Sequence, residues 1–402
     1  MKIRPKLLNG LMLSLAILPS LLIAEGDQTV ARLLTEGKTS INLRYRFEEA
    51  NQDNSLRDAS ASTLRTRLAY QTPEISNMAF LLEVDNVMTL GADRFDSFQL
   101  DRNRGRYSVI ADPEGTEINQ ALLRYTPGEN SVYTLGRQRI NHGTQRFLGG
   151  VGWRQNEQTF DAFSYHYSKE KITVDYSYLW RVNRIFNGSR SSSQLTDFDS
   201  NSHALLASYA HTLGTFSVFV YALDFDNAAT ASSLSTGISY KGKTGPVSLY
   251  AAYASQSDLA DNRQNYQADY YLVEGSLSLG KIILSAGFEQ LGSDNGNKGF
   301  STPLATLHKF QGFTDLFLNT PDQGVEDSYL NLTGSIDKLQ LSVAYHQLQA
   351  DETGDDYGSE WQFHAVYPFS RRLGFELKYA NYQADGFAVD TEKIWLSLNM
   401  AF

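Results

Sequence analysis

Apolar and polar residues alternate one by one along most of the chain beyond residue 38. In Ile41-Asn42-Leu43-Arg44-Tyr45-Arg46-Phe47 the apolar positions are 41, 43, 45 and 47, with polar residues between. The same alternation runs through 64–70, 339–345 and 373–379. Successive side chains of a strand point to opposite faces, so each segment predicts a β-strand with one apolar and one polar face. About 18 such segments can be drawn, roughly 21 residues apiece with their connections. Tight turns fall at 126–129, 168–171, 243–246 and 336–338. Long polar loops fall near 48–62, 87–117, 137–157, 185–201, 292–324 and 349–358. A two-sheet sandwich also alternates. Short turns at one end and long loops at the other favour a transmembrane antiparallel β-barrel, all-β and about 18-stranded. Closure leaves no unpaired edge for lipid to meet. Ile394, Leu396, Leu398, Met400 and Phe402 then form the apolar face of a last strand ending in an aromatic residue. Tyr45, Tyr70, Tyr125, Tyr345, Tyr367 and Tyr379 sit at strand ends, where interfacial girdles are expected.

The N-terminus breaks the pattern. Lys2, Arg4 and Lys6 precede an apolar run from Leu11 to Ile23, with Ala24 at its exit. A basic start, a short apolar centre and a small exit residue predict a signal peptide over 1–24. The run is short for a spanning helix. Residues 25–37 are expected to form a short periplasmic segment, with a helix over 30–37 stopped by Gly37, and 38–402 the barrel. An even strand number would place both termini and the tight turns in the periplasm, and the long loops outside. The expected location is the outer membrane of a Gram-negative bacterium, with lipid, lipopolysaccharide and the barrel-assembly machinery as partners.

Composition narrows the chemistry. The 402 residues contain no cysteine, which removes disulfides, thiolate catalysis and Cys-ligated metals. With 45 acidic residues against 35 basic ones, and three of the basic ones in the first 24, the chain is a poor partner for nucleic acid. None of the seven histidines belongs to an H-E-x-x-H, and no G-x-S-x-G occurs. An outer-membrane hydrolase and a loop-based adhesin are the weaker alternatives, and no cofactor is expected. Acidic runs at 351–356 and at Asp197 and Asp199 read as solvated loops.

The inward faces carry the candidate site. Arg44, Arg46, Arg65 and Arg67 occupy the polar face of the first two strands, and Glu83 and Asp85 that of the third. Pairing of Arg67 with Glu83 and of Arg65 with Asp85 is expected across the turn near residue 75. The loop beyond Gly136 holds Arg137, Arg139, Arg146 and Arg154, no acid, and Gly143, Gly149, Gly150 and Gly152. Its glycines permit an inward fold over 137–157. Its arginines would then set fixed positive charge at a constriction, or contact lipopolysaccharide phosphates if the loop stays outside.

Two patches resemble the alginate export channel family. One is Gly136-Arg137-Gln138 with Trp153-Arg154 and Thr159-Phe160-Asp161. The other is His308-Lys309-Phe310-Gln311-Gly312-Phe313 with Asp315 and Gly324-Val325-Glu326-Asp327. The resemblance implies an 18-stranded barrel whose arginine-rich constriction passes an anionic polysaccharide or its fragments. The expectation is a porin-like channel for passive passage of anionic solutes, acidic sugars or oligosaccharides of the alginate type. A general non-selective porin is the alternative.

Overall fold

A computed structural model of the chain describes residues 32–33, 35–188 and 191–402. The expected signal peptide lies outside the described residues, as does most of 25–37. Of the helix expected over 30–37, Arg32, Leu33 and Thr35 are helical.

Eighteen strands follow in sequence order. They are β1 (Lys38–Gln52), β2 (Ala59–Gln71), β3 (Met78–Arg94), β4 (Gly115–Tyr125), β5 (Ser131–Gln138) and β6 (Thr159–Lys169). Next come β7 (Ile172–Asn183), β8 (Asp197–His211), β9 (Gly214–Leu223), β10 (Ser233–Thr244), β11 (Val247–Asp258) and β12 (Gln267–Leu279). The last are β13 (Ile282–Leu291), β14 (Val325–Ile336), β15 (Leu339–Gln349), β16 (Asp356–Pro368), β17 (Leu373–Ala384) and β18 (Thr391–Ala401). Each pairs antiparallel with its sequence neighbours, and β1 closes the ring on β18. The fold is a closed 18-stranded antiparallel barrel.

The terminal residue completes that closure. The Phe402 amide donates to the Ile41 carbonyl at 2.8 Å, and the Ile41 amide donates back at 3.0 Å. Among the described residues no strand edge is left open, as a chain immersed in hydrocarbon requires. Leu68, Phe80, Leu82, Val218, Leu284, Leu330 and Leu332 are exposed on the outer wall, Leu330 with 55% of its surface free. So broad an apolar face is unfavourable in water and suited to lipid.

Connections at one end are short; at the other end the longest are 95–114, 139–158 and 292–324. Several strands outrun their sequence signal. β3 continues to Arg94 and β4 begins at Gly115, so the expected loop at 87–117 shrinks. Asp197 and Asp199 belong to β8, not to a loop, and pair with Arg181 at 3.0 and 3.5 Å. These strand ends rise beyond the apolar belt. Acids, hydroxyls and glycines take most outward positions there, and the apolar alternation that reveals a strand is lost.

The β2–β3 register also differs from expectation. Arg67 lies opposite Asp85, Arg65 opposite Val87 and Glu83 opposite Ala69, a displacement of two residues set by the 72–77 connection. Gly136 in β5 shows why that strand needs glycine. Its φ is +114°, and a Cβ there would meet the Ala121 carbonyl oxygen at 2.3 Å.

The lumen is not an open tube. Loops 139–158 and 292–324 pack inside against β9 to β13, where Leu148, Phe300 and Leu304 are fully buried. Phe147 stacks on Tyr221 at 5.5 Å and meets Phe219 at 4.7 Å and Tyr270 edge-on at 5.4 Å. Each buried Leu or Phe contributes about 1.5–3 kcal/mol to holding the loops in place.

Candidate functional site

Inward positions on β1 to β3 face the 139–158 loop, and the two are tied by charge. Arg44 Nη1 donates to the carbonyls of Gly152, Trp153 and Arg154 at 3.2, 3.0 and 3.0 Å. Arg46 Nη2 donates to the Trp153 carbonyl at 2.5 Å, and its Nη1 lies 3.5 Å from Asp112. Carbonyl oxygens accept these cations because a loop bent inward leaves them without ladder partners.

Glu157 is the hub of a second group. Its carboxylate accepts Arg67 at 2.9 Å and Asn119 at 3.0 Å, pairs with Arg139, and has Arg65 at 4.0 Å. Burial pushes the Glu157 carboxyl up, but Arg67, Arg139 and the hydrogen bonds outweigh it and hold it down at about 2. Arg67 also forks onto Asp85 at 2.7 and 2.6 Å and approaches Glu83 at 3.5 Å. Glu83 in turn meets Arg139 and accepts Asn119 at 2.8 Å. Arg65 donates to Asn42 at 2.6 Å, and no ion pair joins it to Asp85 among the described residues.

The remaining arginines fasten the two lumen loops. Arg146 lies 2.9 Å from Glu289 and 4.6 Å from the Phe310 ring. Arg154 reaches Glu48 at 3.0 Å and Asp315 at 3.2 Å. Burial lowers the Arg154 pKa, yet Glu48, Asp112 and Asp315 hold it above the usual value. Arg137 forks onto Asp161 at 2.7 and 3.1 Å. Of the ten residues singled out from sequence, Arg139 and Arg154 reach the three cavities described next. The others build the wall and the loop anchors.

Three cavities follow one another through the lumen. The outer, at the long-loop end, is about 650 Å³ and includes Phe98, Arg184, Leu318 and Lys393. The middle, about 400 Å³, includes Arg139, Asn141, Glu157 and Lys378. The inner, about 600 Å³, includes Lys241, Glu274, Tyr329 and Ser342, and reaches towards the short-turn end. Trp153 and His308 line both the outer and middle cavities; Lys309 and Phe313 line both the middle and inner ones.

Those four residues stand where the cavities adjoin. The His308 ring stacks between Trp153 at 3.5 Å and Phe313 at 4.8 Å. Its Nδ1 is 2.8 Å from Asp315, while its Nε2 faces Lys378 Nζ at 3.3 Å. Burial, opposed by Asp315 and aided by Lys378, pushes the ring's pKa down to about 3, so it is neutral at pH 7. The dyad thus orients an aromatic plate; a lysine, not a hydroxyl, occupies the side where a nucleophile would stand. Lys309 is exposed, and among the described residues no carboxylate lies within 4 Å of its amine. Sequence reasoning passed over Lys309, Lys378, Glu48, Glu157 and Glu289. Glu48 and Lys378 were within reach, since each keeps the parity of inward neighbours (Arg44 and Arg46; Glu376).

No protein-family profile and no curated protein matches the chain. Solved structures do. Pseudomonas aeruginosa OpdO is 14% identical with a TM-score of 0.70, covering 93% of this chain and 99% of that one. Acinetobacter baumannii OccAB2 is 14% identical with a TM-score of 0.69, covering 92% and 99%. The outer membrane protein opdK from Pseudomonas aeruginosa is 14% identical with a TM-score of 0.67, over the same shares. The shared feature is the fold. It spans nearly the whole of each chain.

Proposed function

We propose that the protein is a porin-like channel of a Gram-negative outer membrane, passing anionic solutes passively through its lumen. The observation that carries the reading is the run of three cavities sharing lining residues, with the unpaired Lys309 amine where the middle meets the inner. A fixed positive charge in a narrow wet passage concentrates anions through its field. The likeness to opdK, an outer membrane protein, supports the location, as does the apolar outer wall. Lipid and lipopolysaccharide would surround the barrel, and the assembly machinery would read its last strand.

Acidic sugars or uronate oligosaccharides of the alginate type are the cargo we favour. Both patches that resemble the alginate export family line this passage, through Trp153-Arg154 and through 308–313. The inner cavity offers hydroxyl and amide groups, among them Ser239, Asn331, Ser342 and Gln362, to match sugar hydroxyls. A second reading, a non-selective channel, is favoured by the arginines being consumed in ion pairs with Glu48, Asp112, Glu157 and Glu289. Current block separates the two. Uronate oligosaccharides should interrupt single-channel current at concentrations where neutral oligosaccharides of equal length do not. Equal block by both would refute the anionic-sugar reading.

A further inference from the structure

Three turns at the short-turn end of the barrel carry cations without acidic partners. Lys281 lies in the turn from Leu279 to Ile282, Lys338 in that from Ile336 to Leu339, and Arg371 and Arg372 in that from Pro368 to Leu373. All four are exposed, and Asp337 is the one acidic side chain on these turns. Among the described residues none of the four pairs with a carboxylate. At the long-loop end, by contrast, Arg102, Arg104 and Arg181 pair with Asp93, Asp96 and Asp197.

The three turns adjoin one another along the rim. The Ser335 amide donates to the Lys281 carbonyl at 3.3 Å, which sets the first turn beside the strand that enters the second. β15 leaves the second turn and pairs with β16, which enters the third, with Gln340 opposite Val366. The third is held by the Ser370 hydroxyl, which accepts the amides of Arg372 and Leu373 at 3.1 Å each. The turns of Lys281 and Lys338 leave no spacer between cation and wall, since each strand resumes at the next residue. That wall stays apolar to its edge: Leu279 is 57% exposed, Ile282 47%, Ile336 65% and Phe369 53%. An apolar wall of this kind meets hydrocarbon, and a cation directly at its edge meets the phosphates of the lipid.

We infer that this rim, from Lys281 to Arg372, binds an anionic phospholipid of the periplasmic leaflet, its phosphate taken by the four cations and the start of its acyl chains by Ile282, Ile336 and Phe369. The inference rests on the membrane placement proposed above and not on conduction. Lipopolysaccharide is also anionic, but it would face the long loops at the other end. An acidic soluble protein would answer the charge and leave the adjoining apolar edge uncovered, whereas one lipid covers both.

The test is local lipid enrichment. The chain has no cysteine, so Ile336→Cys takes a single bimane label beside the cations, and Leu330→Cys, on the same strand nearer the long-loop end, is the control. Refolded chains are inserted into phosphatidylcholine vesicles carrying a minor fraction of phosphatidylglycerol, with bromine on the acyl chains of one lipid or the other as quencher. At position 336 phosphatidylglycerol should be enriched about fivefold over its share, the worth of one cation near a lipid surface. At position 330 no enrichment is expected. Lys281→Gln, Lys338→Gln, Arg371→Gln and Arg372→Gln together should abolish the enrichment, and Arg371→Lys with Arg372→Lys should keep it. Variants are scored only where heat-modifiable gel mobility shows a closed barrel. Molar salt should abolish the enrichment without these substitutions, so the test does not depend on their folding. Equal enrichment at both positions, none at either, or enrichment that survives the four Gln substitutions or the salt would overturn the site. Quenching by neither lipid would remove the membrane placement along with the site, which separates the two failures.

Discussion

Replacing Glu157 with Gln removes the carboxylate at which Arg65, Arg67 and Arg139 converge while keeping the side chain's shape. The carboxyl is held at about 2 from an ordinary 4.5. A difference of that size corresponds to about 3 kcal/mol in favour of the ionised, docked loop. Because the folded pKa is the depressed one, this contribution is present above pH 4.5 and is lost as pH falls towards 2. The variant should lose it at every pH, so exchange protection in 139–158 should fall while the barrel ladder stays protected. Electrostatics shift as well. Arg139 lines the middle cavity, and removing its counter-charge changes the energy of an ion about 4 Å away by about 1 kcal/mol in water-like surroundings. That is about fivefold in the local concentration of anions, and as much in the opposite sense for cations. The assay is reversal potential across a planar bilayer in a KCl gradient near 0.1 M, where the screening length is about 10 Å. The anion preference should rise. A wild-type reversal potential combined with wild-type protection of 139–158 would refute the argument, because it would place the Glu157 hub away from both the ion path and the loop anchor.

Other consequences can be checked separately. Arg146→Ala leaves Glu289 buried without its cation, so undocking of the loops should cost about 3–5 kcal/mol less than in wild type, visible as new protease cleavage in 139–158. Lys309→Gln should lower the anion-to-cation permeability ratio by up to about thirtyfold without altering thermal stability, measured by reversal potential and heat-modifiability. Acidification from pH 7 towards pH 4 should loosen the Trp153–His308–Phe313 stack, since the buried ring's pKa of about 3 lies below its ordinary 6.5 and the unfolded loop takes up the proton first. Intrinsic tryptophan emission should shift to the red over that window. Gly136→Ala forces a 2.3 Å contact with the Ala121 carbonyl, so the yield of heat-modifiable barrel on refolding should drop sharply.

The barrel was legible because the lipid belt imposes strict alternation, as 41–47 and 373–379 show. Where strands leave that belt, near Arg94, Gly115 and Asp197, the same physics stops writing a pattern and their ends were read as loops. The arginines were legible as inward-facing or loop-borne, and so was the approach of Arg67 to Glu83, but the partners of the loop arginines were not. Glu289 and Asp315 lie far along the chain from Arg146 and Arg154, and only the packed lumen brings them together. Counting charge within one loop therefore overstated the free positive charge, since Glu157 sits three residues past the last arginine counted. The aromatic stack of Trp153, His308 and Phe313 depends on two loops meeting inside the barrel, and no local spacing announces it.

Whether the passage is passive and prefers anions is read from the reversal potential of the refolded wild-type chain in a KCl gradient. Steady conductance is expected, with a reversal potential displaced towards the chloride equilibrium value. A demonstrably closed barrel that conducts nothing, or one whose potential moves towards potassium, would contradict it.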